Sequence, residues 1–133
     1  MPGTFLEANA RDLQLLDEEL MRNVRLRDPE RLVDAFYAPE AKVLAHGLAT
    51  ISGRPAIREY WNSMFHAGLV DVRLETGQFE TEHDLAYGMG RYTHTIETHP
   101  GLLNIEKGTH LAVYRRQPDG CWRALVESFS ADA

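Results

Sequence analysis

The chain holds one cysteine, Cys121, so no disulfide can form within it and its stability must come from packing. A lone thiol fits a reducing compartment, and a cytoplasmic protein is expected. Runs of lysine and arginine are also missing. The 14 basic and 20 acidic residues leave a net charge of −6 that is not concentrated in any tail. Without a basic stripe to neutralise phosphates, nucleic acid is not an expected partner. No stretch approaches the roughly eighteen apolar residues of a membrane span, and Met1-Pro2-Gly3 leads into a charged amphipathic stretch rather than a signal peptide. No membrane partner is expected. The six histidines show neither His-x-His nor His-Glu-x-x-His spacing, so neither a metal site nor a cofactor is expected. Gly88 and Gly90 fall inside a strand pattern and read as a bend, not as a phosphate-binding loop. Ser52, Ser63, Ser128 and Ser130 lack the setting of an activated nucleophile, which removes support for covalent hydrolase chemistry.

What remains is a globular balance: 133 residues, 44% apolar and 26% charged, enough for one domain over residues 1–133 with one core. Thr4 and Glu7 have the spacing of a capping box. Leu6, Ala10, Leu13, Leu16, Leu20 and Val24 continue from it as one helical stripe. Asp28-Pro29 caps a second, short helix to about Tyr37, and Pro55 opens a third, with Ile57, Trp61 and Met64 or Phe65 buried and Gly68 to stop it. Between them Ala41–Ala45 reads as a strand, followed by a short extended piece around residues 49–51. After Gly68 the period changes to two. Val70, Val72 and Leu74 alternate with Asp71, Arg73 and Glu75. Strands over 85–96, 109–116 and 121–130 follow, separated by His99-Pro100-Gly101 and Gln117-Pro118-Asp119-Gly120.

Helices first and long strands afterwards make an α+β fold with the helices on one sheet face. Simple alternation in the last strand puts Leu125 and Phe129 on one face and Trp122, Ala124 and Val126 on the other. Neither face is then polar throughout. Three helices cover only one, so a homodimer through the convex sheet face is expected.

The element order, with Ser52-Gly53-Arg54-Pro55-Ala56-Ile57-Arg58-Glu59-Tyr60-Trp61 and Tyr114-Arg115-Arg116-Gln117-Pro118-Asp119-Gly120-Cys121-Trp122-Arg123, resembles the nuclear-transport-factor-2-like superfamily in its SnoaL-like and ketosteroid-isomerase-like branch. The resemblance implies a cone-shaped, cystatin-like fold of three N-terminal helices on a curved antiparallel sheet, with a small-molecule pocket between them. It also implies that the aspartate base of ketosteroid isomerases is replaced by Ala45, with His46 available after a one-residue slip. Their tyrosine and aspartate donors are missing as well. Steroid isomerisation itself is therefore not expected.

Gly90-Arg91-Tyr92-Thr93 also resembles the association domain of calmodulin-dependent kinase, which implies that Arg91 turns into the cone beside Tyr87 and Met89, where a guanidinium would hold a carboxylate or enolate-like oxygen of a ligand. Glu127 on the last strand is its expected partner; the competing reading is a buried ion pair with a structural role only. His110 and His46 are candidate acid–base groups, because imidazole titrates near neutrality. Alternation with Leu111 and Val113 leaves the face of His110 open. Tyr60 and Trp61 are candidate aromatic walls for an apolar ligand, or plain core. The expected function is a small-molecule pocket protein doing isomerase, cyclase or dehydratase chemistry without a cofactor on an apolar ligand bearing a carbonyl or carboxylate. Its rival is a non-catalytic dimeric ligand-binding or association module.

Overall fold

The computed structural model describes the backbone from Pro2 onward and side chains from Asn9 onward. Helix α1 (Pro2–Arg25) is followed by α2 (Pro29–Phe36), β1 (Tyr37–Ala45), β2 (Ile51–Ser52), α3 (Arg54–His66), β3 (Leu69–Glu82), β4 (Leu85–His99), β5 (Leu102–Arg116) and β6 (Trp122–Ala131). The Thr4–Glu7 capping box and Leu6 of the helical stripe lie outside the residues whose side chains are described. The rest of that stripe holds: Leu13, Leu16, Leu20 and Val24 are buried. Asp28 caps α2 by accepting the backbone N–H of Arg31 at 3.0 Å. Among the described residues no helix is long and apolar enough to cross a membrane.

The fold is α+β, with three helices packed on one face of a six-stranded sheet of order β2-β1-β6-β5-β4-β3. The sheet is mixed, because β1 runs parallel to β6 while the other neighbours are antiparallel. Strands β4 and β5 are longer than the alternation predicts. Only a tight turn at Pro100-Gly101 separates them, with Gly101 at φ +80°. At Gly68 (φ +108°) the chain leaves α3 so close to β4 that a Cβ would stand 2.2 Å from the Glu97 carbonyl oxygen.

One bulge in β6 and the small residues of β4 decide which side chains face the helices. Val113 pairs with Val126 but Tyr114 with Ala124, so Leu125 is an extra residue in β6. Its insertion reverses the alternation. Trp122 and Ala124 before it, and Glu127 and Phe129 after it, all lie on the helix-covered face. The two-sided apolar pattern expected for this strand is thus corrected, since one face is followed across a bulge. In β4 the buried positions are Ala86, Gly88, Tyr92 and His94, leaving Leu85, Tyr87, Met89 and Arg91 outside. Small residues are needed there, because a Cβ on Gly88 would meet the Phe79 ring at 2.7 Å.

Candidate functional site

The register sets three rows of side chains on the inner face. Across β6, β5 and β4, one row reads Ala124, Tyr114, Ala86; the next Glu127, Ala112, Gly88; the third Phe129, His110, Gly90. The middle row is therefore a floor of small residues with one carboxylate at its edge. Asp17 of α1 hangs over that floor. Its Oδ1 accepts from the Tyr114 hydroxyl at 2.6 Å, and its Oδ2 from the Thr76 hydroxyl at 3.0 Å. Beside it, Glu127 accepts the Tyr37 hydroxyl on Oε1 and pairs through Oε2 with His110 Nε2 at 2.9 Å. Trp61 Nε1 donates to the Tyr37 oxygen at 3.0 Å and so extends the chain of bonds to α3.

The two carboxylates differ in their surroundings. Glu127 is 0% and His110 1% exposed, sealed among Tyr37, Trp61 and Phe129. Asp17 is 3% exposed but borders a cleft of about 460 Å³ between α1 and β3, walled by Gln14, Met21, Leu74, Thr76 and Phe79. Burial pushes the Asp17 carboxyl up to about 6, and the charge of Glu127 adds to the rise. The Tyr114 hydroxyl, then His110 and Thr76, oppose it. Desolvation is also the main reason that the Tyr37 and Tyr114 phenols are raised well above their ordinary range, with the adjacent carboxylate second in each. Both remain hydrogen-bond donors at neutral pH. His94 lies buried between Tyr92 and Phe129, and burial lowers it to about 4 against the attraction of Glu106.

Of the residues expected at the site, the structure brings Glu127, His110 and Trp61 together and places half-buried Tyr60 edge-on to Trp61. It separates the others. Arg91 is corrected to the outer face, where its guanidinium forms a two-pronged pair with Asp132, an exposed contact. Tyr87 and Met89, 47% and 54% exposed, share that outer face and line no interior. Parity is the reason: Arg91 pairs with Thr109, one position off the inward Gly90–His110 pair. His46 stands exposed in the turn after β1, so the histidine substitute for the missing base is also corrected. Ala45 pairs with Phe129 and carries no acid.

Sequence reasoning missed Asp17, Tyr37, Tyr114 and Thr76. Asp17 carried a signal, since it falls four residues after Leu13 and three before Leu20, within the buried stripe. A charge there has to be paired or functional.

The profile of the SnoaL-like domain matches residues 9–130, and the chain belongs to that family, a branch of the nuclear-transport-factor-2-like superfamily. Solved structures share the fold at low identity. A ketosteroid isomerase-like protein from Erwinia carotovora atroseptica superposes with a TM-score of 0.77 at 16% identity, covering 90% of this chain and 93% of its own. An NTF2-like protein with a cystatin-like fold from Novosphingobium aromaticivorans gives 0.77 at 18% identity over 98% and 86%. A proposed dehydratase of the NTF2-like family from Streptomyces avermitilis gives 0.75 at 18% identity over 100% and 99%. None of the curated proteins compared with the chain matches it significantly.

Proposed function

We propose that this SnoaL-like protein is a cytoplasmic, cofactor-independent acid–base enzyme of the isomerase or dehydratase kind, acting on a neutral, apolar-bodied carbonyl compound. The observation that carries the reading is Asp17: a carboxyl pushed up to about 6, held by two hydroxyls, on the wall of a cleft of small-molecule size. A carboxyl of that affinity is mostly ionised at neutral pH yet binds a proton far more readily than an ordinary carboxylate, which suits a general base. It would accept a proton from the carbon next to the carbonyl. The C–H electron pair then forms the enolate, whose oxygen would be stabilised by an N–H donor on the cleft wall such as the Gln14 amide. Returning the proton at another carbon completes an isomerisation; expelling a β-hydroxyl as water, with that proton, completes a dehydration. The names of the ketosteroid isomerase-like and dehydratase relatives are consistent with both.

A ligand carboxylate fits poorly. The inner face presents Asp17 and Glu127, and Arg91 is outside. Burying a third negative charge beside two others is unfavourable. The lone exposed thiol of Cys121 supports the reducing compartment. For the expected homodimer, the motive residues Trp122 and Ala124 are corrected to the inner face. Leu85, Tyr87, Met89, Leu103, Ile105 and Leu111 instead leave the outer face apolar and exposed, which supports pairing through it.

Proton exchange tests the reading: neutral ketones incubated with protein in deuterated water are followed by NMR. Exchange at the carbon beside the carbonyl is expected, with loss of about a hundredfold or more in Asp17→Asn and no loss in Arg91→Met. One observation favours a second reading, a non-catalytic binding module: Glu127 and His110 are closed to solvent with both carboxylate oxygens answered. Ketones that bind without exchange in the unmodified protein would decide for it.

A further inference from the structure

The cleft beside Asp17 is bounded on its sheet side by an aromatic ring, and an extra residue in β3 puts that ring there. Thr76 pairs with Gly90 but Gln78 with Met89, which leaves Gly77 unpaired, and Phe79 then pairs with Gly88. Residues three apart on an unbroken strand point to opposite faces. Gly77 turns Thr76 and Phe79 to the same one, over the inward glycines Gly90 and Gly88. Thr76 gives its hydroxyl to Asp17 Oδ2 at 3.0 Å. Phe79 offers no polar atom and fills space.

Two neighbours locate the ring. A Cβ on Gly88 would stand 2.7 Å from Phe79 Cε1 and 3.1 Å from Thr76 Cγ2, so the ring and the Thr76 methyl meet over one glycine. The ring centroid also lies 6.2 Å from that of Tyr114, whose hydroxyl donates to Asp17 Oδ1 at 2.6 Å. Phe79 thus stands beside both groups that hold the carboxyl. The cleft's outer rim is marked by exposed Glu18, Glu75 and Gln78; buried Asp17 and Leu74 and half-buried Phe79 mark its inner end. Under the ring the sheet carries only Gly88 and, next to it, Ala112. A side chain, and not the sheet backbone, closes this end.

We propose that Phe79 is the specificity-determining residue of the Asp17 cleft: its ring blocks the inner end, so a ligand must present its carbonyl as a terminal group with its bulk directed outward. The proposal rests on the acid–base reading of Asp17 and narrows its substrate class to terminal, methyl-ketone-like carbonyl compounds. A compound with chain on both sides of the carbonyl can bring the neighbouring carbon to Asp17 only by driving one chain into the ring, and a packed wall resists added methylenes.

The isomers 2-nonanone and 5-nonanone test this, since they share one formula and differ in where the carbonyl sits. Binding to the full chain is measured by ligand-observed NMR, and deuterium exchange is followed at C3 of the first and C4 of the second, both methylenes. The unmodified protein should favour 2-nonanone by about tenfold or more, and Phe79→Ala should reduce that ratio by about tenfold. Phe79→Trp should raise it. A purely structural role would weaken both isomers together and leave the ratio unmoved. Should Phe79→Ala fail to fold, Phe79→Leu should lower the ratio by a smaller factor. Isomers that bind in the expected ratio without exchanging would remove the proposed chemistry and leave Phe79 as the wall. Equal binding of the two isomers by the unmodified protein, a ratio that Phe79→Ala does not change, or binding of neither overturns the assignment.

Discussion

Asp17 and Glu127 make a natural comparison: two carboxylates on the same side of one sheet, both almost free of solvent, each bridged by two side-chain donors. They differ in what answers them. Glu127 is bonded to the His110 imidazole and walled in by aromatic rings. Asp17 has two neutral hydroxyls and an open cleft. Burial raises the Asp17 carboxyl even though Tyr114, His110 and Thr76 oppose it, and an acid raised beside a cleft is poised to exchange a proton. The difference teaches that hydrogen-bond satisfaction alone does not distinguish an anchor from a working group; access does.

The largest effect is expected on the sealed side. Glu127→Ala strands the Tyr37 hydroxyl and His110 Nε2 in the core and opens a cavity, and should cost about 3–5 kcal/mol, or prevent folding. Denaturant unfolding measures it. A loss near that of a surface mutation would mean that Glu127 is not the anchor.

On the cleft side the sign is opposite. The unfolded Asp17 ionises near 3.8 and the folded one near 6, so between these values the unfolded chain has lost its proton while the folded chain keeps it. Stability from this group is full below about pH 4 and is lost as pH rises through about 6, a decline of roughly 3 kcal/mol. Asp17→Asn removes the decline. The variant should match the unmodified protein near pH 4 and exceed it by up to about 3 kcal/mol at pH 8. His94 works in the other direction: lowered to about 4 from 6.5, it adds stability above that window and loses it as pH falls. The two nearly cancel in the unmodified protein. Asp17→Asn should therefore expose an acid-labile slope between pH 6.5 and 4.

Smaller effects mark the edges of the comparison. Trp61→Phe deletes one donor to Tyr37 and should cost about 1–2 kcal/mol, from the lost bond and the smaller ring. Arg91→Met removes only an exposed pair with Asp132 and should change stability by less than about 0.5 kcal/mol. A large loss there would restore Arg91 to the interior.

How much of this was legible follows from the kind of signal. The helices were readable because their stripes are long and their caps local, as at Asp28 and Gly68. So was the change to sheet after Gly68. Which strand face is inside was not, because it depends on partners distant in sequence. One extra residue at Leu125 moves Glu127 onto the face of Trp122, and the crowding of Gly88 by Phe79 puts the larger neighbours Tyr87, Met89 and Arg91 outside. The functional residue that could have been found is Asp17, an acid inside an apolar stripe. Its partners Tyr114 and Thr76 lie 97 and 59 residues away and could not.

The account turns on the protonation of Asp17, which carboxyl-carbon NMR reads directly. In protein labelled at aspartate side-chain carbons, with Asp17→Asn supplying the assignment, the signal should titrate with a midpoint of about 6. A midpoint near the ordinary 3.8 would show a solvated carboxylate, and with it the proposed base would be lost.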